Sequence, residues 1–146
     1  MGDAVRMGVR DGVWERSDLV LTTKIFFGAG MKRGKSKRQN RIGLSRKHLT
    51  EGLAQSLERM GLSYVDVCFC HRPDPVTPIE ETVRTFTDLI AAGKCFYWGT
   101  SEWSAAQLLE ANPLIIPPDS PAHGGGFTLR SARSFALTLC ARRAPR

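Results

Sequence analysis

The sequence of 146 residues has no apolar run long enough to cross a bilayer. Its first stretch, MGDAVRMGVRDGVWERSDLV, has no apolar signal-peptide core. Met1-Gly2 is not followed by the Ser or Thr that a myristoylation signal needs at the sixth position, where Arg6 stands instead. A soluble, cytoplasmic protein is the expectation. Cysteine is sparse: Cys68, Cys70, Cys95 and Cys140. Three of them sit in apolar, strand-like runs, which suits reduced thiols packed as small hydrophobes. A zinc site at Cys68, Cys70 and His71 is disfavoured, because alternate strand residues face opposite ways and no second ligand pair follows at zinc spacing. No GxGxxG follows any strand-like run, so the main positive sign of a dinucleotide-binding Rossmann unit is missing.

Acidic residues are absent after Asp119, and aromatics are absent from the basic run MKRGKSKRQNR. The net charge of +7 therefore comes largely from that run and from an arginine-bearing tail. A solvated basic loop is the better reading of residues 28–43, and a nucleic-acid partner is not expected.

What is present is an alternation. LVLTTKIF (19–26) reads as a buried strand, short and β-rich. A helix follows, with Leu49, Leu53, Leu57 and Met60 on one face, Ser45 as its cap and Gly61 as its stop. YVDVCFCH (64–71) is the second strand. Thr77-Pro78-Ile79-Glu80 reads as a capping box with proline at the first helical position. The helix it opens carries Val83, Phe86 and Ile90 on one face and stops at Gly93. CFYWGTS (95–101) is the third strand, and Ser104-Ala105-Ala106-Gln107 opens a third helix. The segment DAVRMGVRDGV looks like the last turns of a further helix. Strand–helix alternation of this kind predicts parallel βα units: an α/β fold, with a partial (β/α)8 barrel favoured over a doubly wound sheet.

Each strand closes on a polar residue: Lys24, His71 and Ser101. In a (β/α)8 barrel the C-terminal strand ends share one mouth, and the active site lies there. Lysine and histidine converging at that mouth suggest acid/base work on a carbonyl. Neither Tyr64, at a strand start, nor Tyr97, in mid-strand, is placed to be the acid.

These residues carry a resemblance. TTKIF, GLSRKHLTEGLAQSLERMGLSYVDV, HRPDPVTPIEETVR and YWGTSEWS resemble the aldo-keto reductase superfamily over about residues 14–111, most of all its voltage-gated potassium channel β-subunit branch in its plant-like form. The resemblance implies an NADPH-binding barrel with an Asp, Tyr, Lys, His tetrad that reduces small carbonyl substrates. Lys24 matches the lysine that tunes the tyrosine. His71 matches the substrate-orienting position beside the cofactor, and Ser101 matches the serine that holds the nicotinamide carboxamide. No residue matches the catalytic Asp or Tyr. The expectation is therefore a fragment, residues 1–112, inactive alone, with a divergent, disordered tail at 113–146 that lies outside the resemblance. About three strands cannot close a barrel and should expose two hydrophobic edges, unless another copy assembles with them as a homo-oligomer. The alternative is a regulatory channel subunit with a cation-channel partner, peripheral at a membrane through that partner.

Overall fold

A computed structural model of the chain describes residues 1–28 and 39–115. Its elements run α1 (Gly2–Arg10), β1 (Thr22–Ile25), α2 (Arg46–Met60), β2 (Val65–Cys70), α3 (Ile79–Ala91), β3 (Cys95–Thr100) and α4 (Ala105–Ile115). The three strands form one parallel sheet in the order β1-β2-β3. Each strand thus sits beside its successor, as in the wall of a (β/α) barrel.

Strand alternation divides the side chains between two faces. Ile25, Cys68, Cys70 and Trp98 meet the buried stripes of α2 (Leu49, Leu53, Leu57) and α3 (Val83, Phe86, Leu89) in one core. The other face bears Val67 beside Tyr97, then Lys24, Phe69 and Gly99 in one row. The architecture is a three-stranded portion of a barrel wall, with α2 and α3 packed on the same side.

The helix ends are settled by local chemistry. Ser45 caps α2 by accepting a hydrogen bond from the His48 amide at 3.3 Å. Gly61 ends it in the left-handed region at φ 66°, where a Cβ would be strained, while Leu62 donates back to Leu57 at 3.0 Å. Ser104 and Gln107 form a reciprocal box at the start of α4, with Ser104 N to Gln107 Oε1 at 2.9 Å and Gln107 N to Ser104 Oγ at 3.3 Å. Replacing Ser45→Ala should cost about 1 kcal/mol and Ser45→Asp should restore most of it, read as the shift in urea midpoint.

Several details depart from the sequence reading. β1 is only four residues long. Pro78 is the N-cap of α3, not its first helical residue, and Thr77 does not cap; its hydroxyl donates to Asp74 Oδ2 at 2.7 Å. The carboxylate three residues upstream outcompetes the helix amides for that hydroxyl. Ile90 is exposed, and Leu89 takes the buried place, since 83, 86 and 89 follow the core-facing stripe. The β1 edge is largely polar, with Thr22 and Lys24 exposed, and the exposed large hydrophobic residues, Val20, Phe27, Val76, Phe96 and Leu109 among them, lie elsewhere. A lysine on an edge strand discourages unwanted strand pairing. The expected boundary at residue 112 falls inside α4, which continues through Pro113 to Ile115; the remaining tail, residues 116–146, lies outside the described residues, as does most of the basic run. Among the described residues no helix is long and apolar enough to cross a membrane.

At the N-terminal end of the strands Arg16 pairs with Asp66 at 2.8 Å and lies 4.1 Å above the Tyr64 ring. Asp66 also accepts the Leu21 amide at 2.7 Å, which ties the approach to β1 onto β2.

Candidate functional site

The C-terminal strand ends are joined by two backbone bonds. His71 N donates to Ile25 O and Ser101 N to Cys70 O, each at 3.0 Å. By alternation Lys24, His71 and Ser101 all project to the face opposite the helices. They do not occupy equivalent positions. Lys24 is followed by Ile25 within β1, and its register partner is Phe69, which in turn pairs with Gly99. Lys24 therefore lies one row below His71 and Ser101, since strand register is set by pairing across the sheet and not by where each strand happens to stop.

That row has its own construction. A Cβ on Gly99 would fall 2.7 Å from the edge of the Phe69 ring, so any larger residue there would have to displace that ring. The Lys24 ammonium stands 5.9 Å from the centroid of the same ring. Lys24 is exposed, and neither it nor the Ser101 hydroxyl makes a hydrogen bond or ion pair among the described residues. His71 and Ser101 are half-buried.

His71 is turned against Phe27, ring centroids 5.2 Å apart and nearly perpendicular. Burial lowers its pKa, and the charges of Lys24 and Arg72 push in the same direction. The imidazole is therefore neutral at pH 7 and can donate one hydrogen bond to an oxygen. The charge of Arg72 is answered by Glu102, 2.8 Å away across the β2 and β3 ends. Glu102 sits at φ 65°, the only residue other than glycine with positive φ among the described residues. Phe27, Phe69 and the Arg72–Glu102 pair were not singled out from sequence. The signal for the last was present, as opposite charges directly after two strand-ending polar residues.

A second clasp holds the same rim. Asp74 accepts the amides of Leu44 at 2.7 Å and Val76 at 3.0 Å, besides the Thr77 hydroxyl. Burial pushes its pKa up, but these hydrogen bonds and the Thr77 amide outweigh burial and hold the carboxyl below its ordinary range. Gly43, at φ 99°, gives this carboxylate room: a Cβ there would come within 2.4 Å of Asp74 Oδ2.

Cys68, Cys70 and Cys95 are buried free thiols. Burial raises all three, Cys95 to about 11, so none is a thiolate at neutral pH. The described residues hold no group of three or more His, Cys, Asp or Glu side chains placed to bind a metal ion.

The sequence is 60% identical over 101 residues to a Schizosaccharomyces pombe protein named as a voltage-gated potassium channel subunit beta, covering 69% of this chain and 28% of that protein. Proteins of the same name from Oryza sativa subsp. japonica and Arabidopsis thaliana are 52% identical over 111 residues and 53% over 112; each alignment covers 76% of this chain and 30% of the relative. The chain thus spans less than a third of the length of these relatives. The Aldo/keto reductase family model matches residues 4–121, further at both ends than the quoted motifs reach. With three parallel βα units in barrel order and a family match across most of its length, the chain belongs to the aldo/keto reductase family.

Proposed function

We propose that the chain supplies part of an NADPH-dependent aldo-keto reductase site, the wall bearing Lys24, His71 and Ser101, and does not complete that site by itself. The observation that carries this reading is the shared face: three polar residues on three successive strands, with His71 held neutral and the Ser101 hydroxyl without a partner among the described residues. These residues fit a nicotinamide. A free hydroxyl suits its carboxamide, and the bare glycine at 99 keeps the strand low beside it. When bound, the nicotinamide supplies the hydride. Ser101 then holds the carboxamide, and neutral His71 donates to the carbonyl oxygen of a small aldehyde or ketone and fixes its orientation. Lys24 provides the cation that would lower the pKa of a neighbouring phenol. No residue here matches the family's catalytic Tyr or Asp, so the chain alone is expected to bind and orient without turnover.

Titration of the 146-residue chain with NADPH, followed by nicotinamide fluorescence, tests this. Saturable binding is expected in the micromolar range, weakened about tenfold by Ser101→Ala for loss of one hydrogen bond. No carbonyl-dependent NADPH oxidation should accompany it. Absence of saturation would sink the cofactor reading; turnover by the wild-type chain would sink the claim that the site is incomplete.

A regulatory reading is favoured by one finding, the names borne by the fungal and plant relatives. On that reading the chain associates with a cation channel, and co-purification with channel subunits is its test.

A further inference from the structure

The described residues enclose a pocket of about 300 Å³ at the free edge of β1, under α2. Thr23, Lys24 and Ile25 of the strand all border it. Arg41 lines it as well, together with His48, Gln55 and Arg59 of α2. This place is distinct from the His71–Ser101 rim, although Lys24 and Phe27 border both.

Its charge is one-sided. Lys24, Arg41 and Arg59 are cations, and neither Lys24 nor Arg41 has an ion-pair partner among the described residues. The guanidinium of Arg59 makes only a hydrogen bond to Ser56 Oγ, at 3.0 Å. Glu51 is the single carboxylate in the lining, and Lys47 already neutralises it. The side chains of Thr23, Asn40 and Gln55 make no hydrogen bond among the described residues, although each lines the pocket. His48 belongs to the wall, is only 7% exposed, and its Nε2 has no hydrogen-bond partner. The backbone of Phe26 and Asn40 also acts on this imidazole; buried polar atoms are ordinarily satisfied, which leaves Nε2 open to a polar neighbour.

We propose that this pocket binds the phosphate group of a small phosphorylated molecule. Arginine forks and free hydroxyl or amide donors around a concave space of this size match a compact polyanion. Binding of this kind holds the anion against β1 and α2 together and fixes the edge strand on its helix.

The test uses the full chain with pyrophosphate, inorganic phosphate and AMP as probes, followed by calorimetry and by the ring resonances of His48 in NMR. Saturable pyrophosphate binding is expected at low ionic strength, with the His48 resonances shifting in step. Arg41→Gln and Arg59→Gln should each weaken it about fivefold, roughly 1 kcal/mol of a charge-assisted contact. Circular dichroism checks that both variants remain folded. AMP binding tighter than phosphate would assign a nucleotide; equal binding of both would assign the phosphate group alone, and either supports the site. Absence of saturation overturns the proposal. So does pyrophosphate binding that is undiminished in the Arg41→Gln/Arg59→Gln double variant, because the anion would then sit on the basic run between Lys32 and Arg38. Neither arginine belongs to the proposed cofactor wall, so loss of NADPH binding and loss of pyrophosphate binding are separate outcomes.

Discussion

Phe86→Ala is expected to cost about 3–5 kcal/mol, the usual range for emptying a fully buried aromatic site. Phe86 has no exposed surface and lies against Trp98, ring centroids 4.8 Å apart and 9° from parallel. It is the place where α3 meets β3, and Trp98 in turn touches Trp103 edge-on at 6.5 Å. Removing the ring therefore opens a void between helix and sheet and loosens the aromatic packing that leads toward α4. Phe86→Leu keeps most of the volume and should cost about 1.5 kcal/mol or less. Urea unfolding followed by tryptophan fluorescence distinguishes them. A loss below about 1 kcal/mol for Phe86→Ala would mean that the α3–β3 contact collapses around the void and carries little of the stability.

Asp74→Ala should be nearly as damaging, by a different route. Its carboxylate ties together the start of α2, through Leu44 N, and the turn before α3, through Val76 N and Thr77 Oγ. Hydrogen bonds to a charged acceptor contribute more than neutral ones, and the alanine variant leaves the Leu44 amide without its partner; about 3 kcal/mol is expected. The pH dependence has a definite sign. The folded carboxyl titrates below its ordinary value of 3.8, so its contribution is fully present above that pH. It is lost as the pH falls through the lower folded value. Wild-type stability should decline in acid more steeply than that of Asp74→Asn, which carries no charge to lose. Equal acid slopes for the two proteins would show that the carboxylate is not acting as a charged clasp. Hydrogen exchange at the Leu44 amide gives the local readout: protected in the wild type, fast in Asp74→Ala.

These two sites illustrate what was legible in the sequence. Phe86 could be read because helical spacing and apolar character report burial directly. The caps at Ser45, Gly61 and Ser104 were legible because each is decided within a few residues. Asp74 was half legible: Asp-Pro-Val has the form of an Asx turn, and the Val76 amide does bond Oδ1. Its bond to Leu44, 30 residues upstream, is tertiary and leaves no local trace. That carboxylate also removed Thr77 from the capping role that the sequence suggested. Lys24, His71 and Ser101 were found as polar strand ends, and their common face follows from alternation. The depth of Lys24 did not follow, because the pairing of Lys24 with Phe69 is a property of the sheet.

The position of β1 has a consequence for motion. Among the described residues it is the shortest strand, it pairs with β2 alone, and three of its four residues are not buried. The pairing of Thr22 with Val67 also closes a longer stretch of chain than that of Val67 with Tyr97, so its entropy of closure is the larger. The pairing of β1 is thus expected to open more readily than the β2–α3–β3 unit, which hydrogen exchange at the β1 and β3 amides would show as faster exchange in β1. Lys24 rides on that strand. Whatever settles against the outer side of β1 therefore also governs how long the lysine stays in register with Phe69 and in reach of His71.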